Sequence, residues 1–100
     1  MNNLLKDKYI VITGASGDIG LSCCETFYNQ GANLILLYNK NRRKILNFKK
    51  NKKNIYSYSC DFTNEKEVSK ISKKLTKKFN EINSLINCCG IMEPQNFFFR

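Results

Sequence analysis

Three glycines, Gly14, Gly17 and Gly20, follow directly on the run Tyr9-Ile-Val-Ile-Thr13 and directly precede an amphipathic segment. The chemistry this spacing offers is anion binding. Glycine lets a backbone turn tightly and approach a phosphate with no Cβ in the way. A helix starting at that turn points unpaired N–H groups and its positive dipole end at the same anion. A purely structural turn would use glycine as well. The order strand, glycine turn, helix is what gives the triplet its weight.

Other reactive side chains carry weaker patterns. Ser22 and Ser84 have no histidine to activate them, because the chain contains none, which excludes a Ser-His-Asp type of nucleophile. The five cysteines include two adjacent pairs, Cys23-Cys24 and Cys88-Cys89, and Cys60 stands alone. None has the C-x-x-C spacing of a zinc or dithiol site, and the odd count argues against a disulfide framework. They are expected to be small packing residues in a reducing compartment. The net charge of +9 is concentrated between Lys40 and Lys53. Such a run could contact nucleic-acid phosphates. It lacks interleaved aromatics apart from Phe48, and no DNA-binding helix pair is recognisable, so a solvated surface is the expected role.

The elements needed to position these groups follow from periodicity. Lys8–Thr13 is a β-branched, continuous strand of the kind covered on both faces. Asp18–Gln30 is a helix whose inner stripe is expected at Ile19, Cys23 and Phe27, with Gly31 as its C-cap. Asn33–Tyr38 is a second strand and Asn41–Phe48 a short helix. Ile55–Cys60 is a third strand. A helix capped by Thr63 or Asn64 buries Val68, Ile71, Leu75 and Phe79, with Asn64 and Glu67 forming a capping box. Ser84–Cys89 is a fourth strand, and Gly90–Arg100, with the only proline, Pro94, reads as a loop.

Strands alternating with helices predict an α/β fold: a parallel sheet with helices on both faces, βαβαβαβ. One hundred residues allow a single domain. No apolar run reaches the roughly 20 residues of a membrane span. The first eight residues lack the apolar core and cleavage site of a secretory signal. The cytoplasm is therefore the expected location.

Four segments in this order resemble the N-terminal half of a short-chain dehydrogenase/reductase. They are Thr13-Gly-Ala-Ser-Gly-Asp-Ile-Gly20, Tyr38-Asn39-Lys40, Cys60-Asp61-Phe62-Thr63 and Ile86-Asn87-Cys88-Cys89-Gly90. Among members of that family, the 3-oxoacyl-carrier-protein reductases look nearest. The resemblance implies a Rossmann-type fold with strand order 3-2-1-4 and a dinucleotide cofactor. Gly14 would make the tight turn and Gly20 the close helix–strand approach, while Ser16, Gly17, Asp18 and Ile19 line the phosphates. Asp61 would hydrogen-bond the adenine amino group and Phe62 would flank the ring. Asn87, Cys88, Cys89 and Gly90 resemble the Asn-Asn-Ala-Gly turn that supports the ribose.

Two segments depart from the family pattern. Asp18 stands where the second glycine is usual, with Gly17 before it, a spacing that fits the extended branch of the superfamily equally well. The Asn87 turn favours the short-chain branch. Cys88-Cys89 replaces Asn-Ala, keeping the small size and losing an amide. At the end of the second strand, an acid would bind the 2′-hydroxyl of NAD and a basic group the phosphate of NADP. Asn39, Lys40 and Arg42 include no acid, so NADP is expected over NAD, with Lys40 or Arg42 as the phosphate partner.

The family's hydride transfer uses a Ser and a Tyr-x-x-x-Lys pair. None of Tyr9, Tyr28, Tyr38, Tyr56 or Tyr58 has lysine four residues later. The expectation is an incomplete NAD(P)-binding domain over residues 1–100, the N-terminal part of an oxidoreductase acting on a small carbonyl or alcohol, with a homo-oligomeric full-length form. The alternatives are a non-catalytic dinucleotide-binding module and a basic nucleic-acid-binding protein. Asp61 as a simple cap and Asn87 as a simple turn residue remain open readings. An uncovered fourth strand is expected to leave the isolated chain poorly soluble or bound to a partner.

Overall fold

The computed structural model describes residues 3–89. The elements run β1 (Tyr9–Thr13), α1 (Asp18–Asn29), β2 (Asn33–Tyr38), α2 (Arg42–Lys49), β3 (Ile55–Ser59), α3 (Glu65–Lys78) and β4 (Ser84–Asn87). All pairings are parallel, as the alternation of elements predicts, and the sheet order is β3-β2-β1-β4, as the resemblance implies. The readings of Gly90–Arg100, including Pro94, lie outside the described residues.

The central strands are apolar throughout because both faces are covered. Ile10 and Ile12 of β1, with Leu34 and Leu36 of β2, enter the cluster beneath α1 and α2. Val11, Ile35 and Leu37 point the other way, into the cluster that α3 closes with Val68, Ile71, Leu75 and Phe79. Alternation along each strand thus feeds two cores. Burying each such side chain contributes about 1.5–3 kcal/mol. β4, paired only with β1 among the described strands, has no fully buried residue.

The inner stripe of α1 differs from the one expected. Gly20 and Cys24 are its buried positions, while Ile19 is 73% exposed. Cys23 and Phe27 pack at the margin of the core. The cause is Gly20: it must face the sheet, and one residue back along a helix is a rotation of about 100°, which carries Ile19 outward. The C-terminus of α1 behaves as predicted. Gly31 adopts a φ of 91°, its N–H donates to the Tyr28 carbonyl and the Ala32 N–H to that of Phe27. This is a Schellman closure.

Other boundaries shift by a residue or two. β4 ends at Asn87 rather than Cys89 because the Asn87 side chain, and not a strand partner, accepts the Cys89 N–H. Asn64 caps α3, its Oδ1 accepting from the N–H groups of Lys66 and Glu67. The Glu67 carboxylate does not complete a capping box with Asn64; it reaches back to accept from the N–H of Asp61.

Candidate functional site

The carboxyl ends of β1 and β4 lie side by side, with Thr13 paired to Asn87. The glycine turn leaves β1 here. Gly14 has a φ of 64°, and a Cβ on it would lie 2.8 Å from the Cys89 nitrogen and 2.9 Å from the Cys88 carbonyl carbon. A Cβ on Gly20 would lie 2.2 Å from the Gly14 carbonyl oxygen. Both glycines are therefore demanded by packing: one lets the turn pass the end of β4, the other seats α1 on the turn.

Gly17 is different. A Cβ there would meet only the Gly14 oxygen, at an ordinary 3.5 Å. Gly17 is the N-cap of α1 and offers no side-chain acceptor to the first turn. The first intrahelical bond closes from the Leu21 N–H to the Gly17 carbonyl. The amides of Asp18, Ile19 and Gly20 are the donors that helix geometry leaves without an intrahelical acceptor. The lack of a side chain at position 17 keeps the space before them clear. These residues fit an anionic group such as a dinucleotide pyrophosphate. Asp18 is exposed in this first turn, where its charge suits the dipole. With Ile19 it lines a shallow groove completed by Ser22, Cys23, Thr26 and Phe27.

Asn87 organises the facing turn. Its Oδ1 accepts from the Thr13 hydroxyl at 2.8 Å, the Cys89 N–H at 3.2 Å and the Cys89 thiol at 3.0 Å. The Cys88 N–H donates to the Thr13 carbonyl. Thr13 is fully buried. It joins the two site strands through its side chain, a role that sequence reasoning missed. The signal was a hydroxyl ending an otherwise apolar strand one residue before the first glycine. Gly90 lies outside the described residues.

The ends of β2 and β3 form the other flank. The Ser16 hydroxyl donates to the Lys40 carbonyl at 2.8 Å, tying the glycine turn to the chain beyond β2. Asn39, Lys40 and Arg42 are exposed. Arg42 opens α2, whose N-cap Asn41 is left-handed and makes no side-chain cap bond. Asp61 follows β3. Its Oδ1 accepts from the Thr63 hydroxyl at 2.7 Å and the Thr63 N–H at 3.0 Å. Those two bonds, hydroxyl first, and the charge of nearby Lys40 hold the carboxyl below its ordinary range. Asp61 is thus not the cap of α3, and the structure brings Lys40 and Asp61 to one place. Phe62 packs its ring against the α3 core.

The sequence pattern of the short chain dehydrogenases matches residues 8–99. The chain belongs to the short-chain dehydrogenase family. An uncharacterised oxidoreductase of Staphylococcus saprophyticus is 37% identical over 92 residues, covering 88% of this chain and 39% of that protein. An NAD-dependent glycerol dehydrogenase of Listeria innocua is 29% identical over 87 residues, covering 87% and 34%. A Shigella flexneri short-chain dehydrogenase solved with NADP superimposes with a TM-score of 0.73 at 20% identity, covering 96% of this chain and 46% of that one. That likeness carries the fold alone. The chain spans about two fifths of the length of the curated relatives it matches. Among the described residues, no helix is long and apolar enough to cross a membrane.

Proposed function

We propose that this short-chain dehydrogenase chain forms the NADP-binding part of an oxidoreductase acting on a small carbonyl or alcohol. The observation that carries the reading is the open N-terminus of α1, capped by a glycine that packing does not require. The Asp18, Ile19 and Gly20 amides would hold the pyrophosphate, with Ser16 fixing the turn. Asp61 and Phe62 would receive the adenine end, and Asn87 with Cys88 and Cys89 the second ribose. The bound nucleotide would give a hydride to a carbonyl or take one from an alcohol.

The preference for NADP rests on α2. Its first turn carries Arg42, Arg43 and Lys44 and no acid, and its N-cap is unfilled. Cations at a helix N-terminus are unfavourable, and a phosphate there would relieve both faults. The Listeria relative is named as NAD-dependent and the Shigella structure holds NADP, so local charge is the better guide.

A fluorescence titration tests this reading. Saturable NADPH binding, at least about tenfold tighter than NADH and lost in Arg42→Glu, is expected; tenfold corresponds to about 1.4 kcal/mol. No saturation by either nucleotide would overturn the proposal. Action on a 3-oxoacyl substrate is the finer form of the proposal. It requires a Ser and a Tyr-x-x-x-Lys pair from outside these 100 residues. A second reading of the same residues is a dinucleotide-binding module without catalysis. Carbonyl reduction by the polypeptide as it occurs in the cell distinguishes the two.

A further inference from the structure

Along the chain, the basic run Lys40–Lys53 has one aromatic side chain, Phe48. The fold brings it others, and more lysines with them. β3 is an outer strand of the sheet among the described residues, paired with β2 alone. Lysines stand on both of its faces. On the α2 side, the Lys49 Nζ donates to the Ser57 hydroxyl at 2.9 Å. The Lys52 Nζ lies 4.7 Å from the centre of the Phe48 ring and 5.7 Å from that of Tyr28. On the α3 side, the Lys74 Nζ lies 5.0 Å from the centre of the Tyr58 ring. The Lys78 Nζ lies 5.3 Å from that of Tyr56 and 5.9 Å from that of Tyr58. Lys74 and Lys78 are exposed, and both tyrosines are half-buried.

Most of these groups gather at one end of the sheet. A crossover helix runs back against its strands, so α2 and α3 end beside the strand starts. The Phe79 ring, just past α3, accordingly lies 5.5 Å from that of Tyr9, which opens β1, and 5.0 Å from that of Tyr56. The glycine turn leaves β1 at the opposite end. On the connections into the strands, the acids at the lysine end are Asp7 and Glu81. They precede β1 and β4, two and three strands away from β3, and the Glu81 carboxylate is engaged by the Asn83 amide. Cations in a last helical turn suit the dipole, and lysines guard an outer strand against pairing with another chain. Both roles need charge alone, and neither needs a ring beneath it.

We propose that the β3 edge is a docking surface for single-stranded nucleic acid, independent of the dinucleotide site. Lys49, Lys52, Lys74 and Lys78 meet consecutive backbone phosphates. The ammonium groups over Tyr56 and Tyr58 exchange the rings for phosphate oxygens, and the ring faces they leave take bases. A single strand fits because each unpaired base has a face to stack, whereas a duplex keeps its bases inside. The Tyr56 ring is held ready by its edge contact with Phe79. RNA and DNA strands offer the same phosphates and base faces, so the surface selects the class rather than the sugar. The surface does not depend on what the glycine turn binds.

The test is fluorescence anisotropy of the protein with labelled oligouridylate and oligothymidylate of about 12 nucleotides. Saturable binding of either strand is expected, and a preference between them identifies the sugar. The logarithm of affinity should fall with the logarithm of salt concentration with a slope of about −3, for four phosphates at about 0.7 each. Replacing Lys74→Gln and Lys78→Gln together should about halve that slope. Tyr58→Ala should weaken binding about tenfold and Tyr58→Phe should not. A duplex of the same length should bind at least about tenfold more weakly, and saturating NADPH should leave the strand bound. Absence of saturable binding, a slope unchanged in the double glutamine variant, equal affinity for the duplex, or displacement by NADPH would overturn the proposal. So would capture on phosphatidylserine vesicles by a protein that binds neither strand. Should Tyr58→Ala fail to fold, the double glutamine variant still decides, because both lysines are exposed.

Discussion

Helix α3 begins at Asn64, whose Oδ1 accepts from two backbone N–H groups, with Glu65 and Glu67 in its first turn and Lys77 and Lys78 in its last. Helix α1 begins at Gly17, which has no side chain to offer, and carries no basic residue in its last turn. The first helix satisfies its own ends. The second leaves its N-terminal donors open and is held instead by the contact of Gly20 with the Gly14 carbonyl. A helix secured by its own caps serves the fold, whereas one secured by close packing has its N-terminus available for an anion.

The contrast can be broken most severely at Gly20. Gly20→Ala places a Cβ against the Gly14 oxygen, and overpacking against rigid backbone should cost about 3 kcal/mol. Urea denaturation should show the loss, with nucleotide binding lost alongside it. Gly17→Ala separates binding from folding. Its Cβ meets only an ordinary contact, so stability should fall by less than about 1 kcal/mol. NADPH affinity should fall about tenfold, or about 1.4 kcal/mol, by titration. Equal and small effects on both would mean that the open N-terminus binds nothing.

Asn64→Ala is the mirror experiment on α3. It should cost about 1 kcal/mol in urea denaturation and leave NADPH affinity unchanged. A loss of binding would show that the two helix starts are not independent. The smallest effect concerns Asp61. Its carboxyl is held low chiefly by Thr63, so its stabilisation is fully present above the unfolded value of about 4 and fades as pH falls through the lower folded value. Comparing denaturation curves of the parent and Asp61→Asn from neutral to acid pH should show a gap that narrows only at the acid end. A gap constant with pH would assign the effect to geometry rather than charge.

Much of this was legible in the residues. The apolar runs of β1 and β2 announced strands covered on both faces, and both faces are covered. Val68, Ile71, Leu75 and Phe79 marked the buried side of α3, where periodicity alone settles the orientation. The same reasoning misoriented α1, because it weighted Ile19 by hydrophobicity and gave Gly20 none. A glycine's contribution to a helix face is the close approach it permits, and that depends on what lies opposite. Asn64 was readable as one of two candidate caps, with Thr63, because its partners are two and three residues away. The partner of Glu67 was not, since Asp61 lies on the far side of the cap and the choice between two N–H groups depends on loop geometry.

Local chemistry alone determined the order of elements, the parallel sheet and the position of the phosphate-type turn, because strand and helix periods, glycine freedom and caps act over a few residues. Contacts between distant segments decided the rest. Thr13 meets Asn87 and Ser16 meets Lys40 only after β4 and β2 have docked on either side of β1. Such pairings depend on the register of the whole sheet, and no local period in the chain encodes which side chains that register brings within reach.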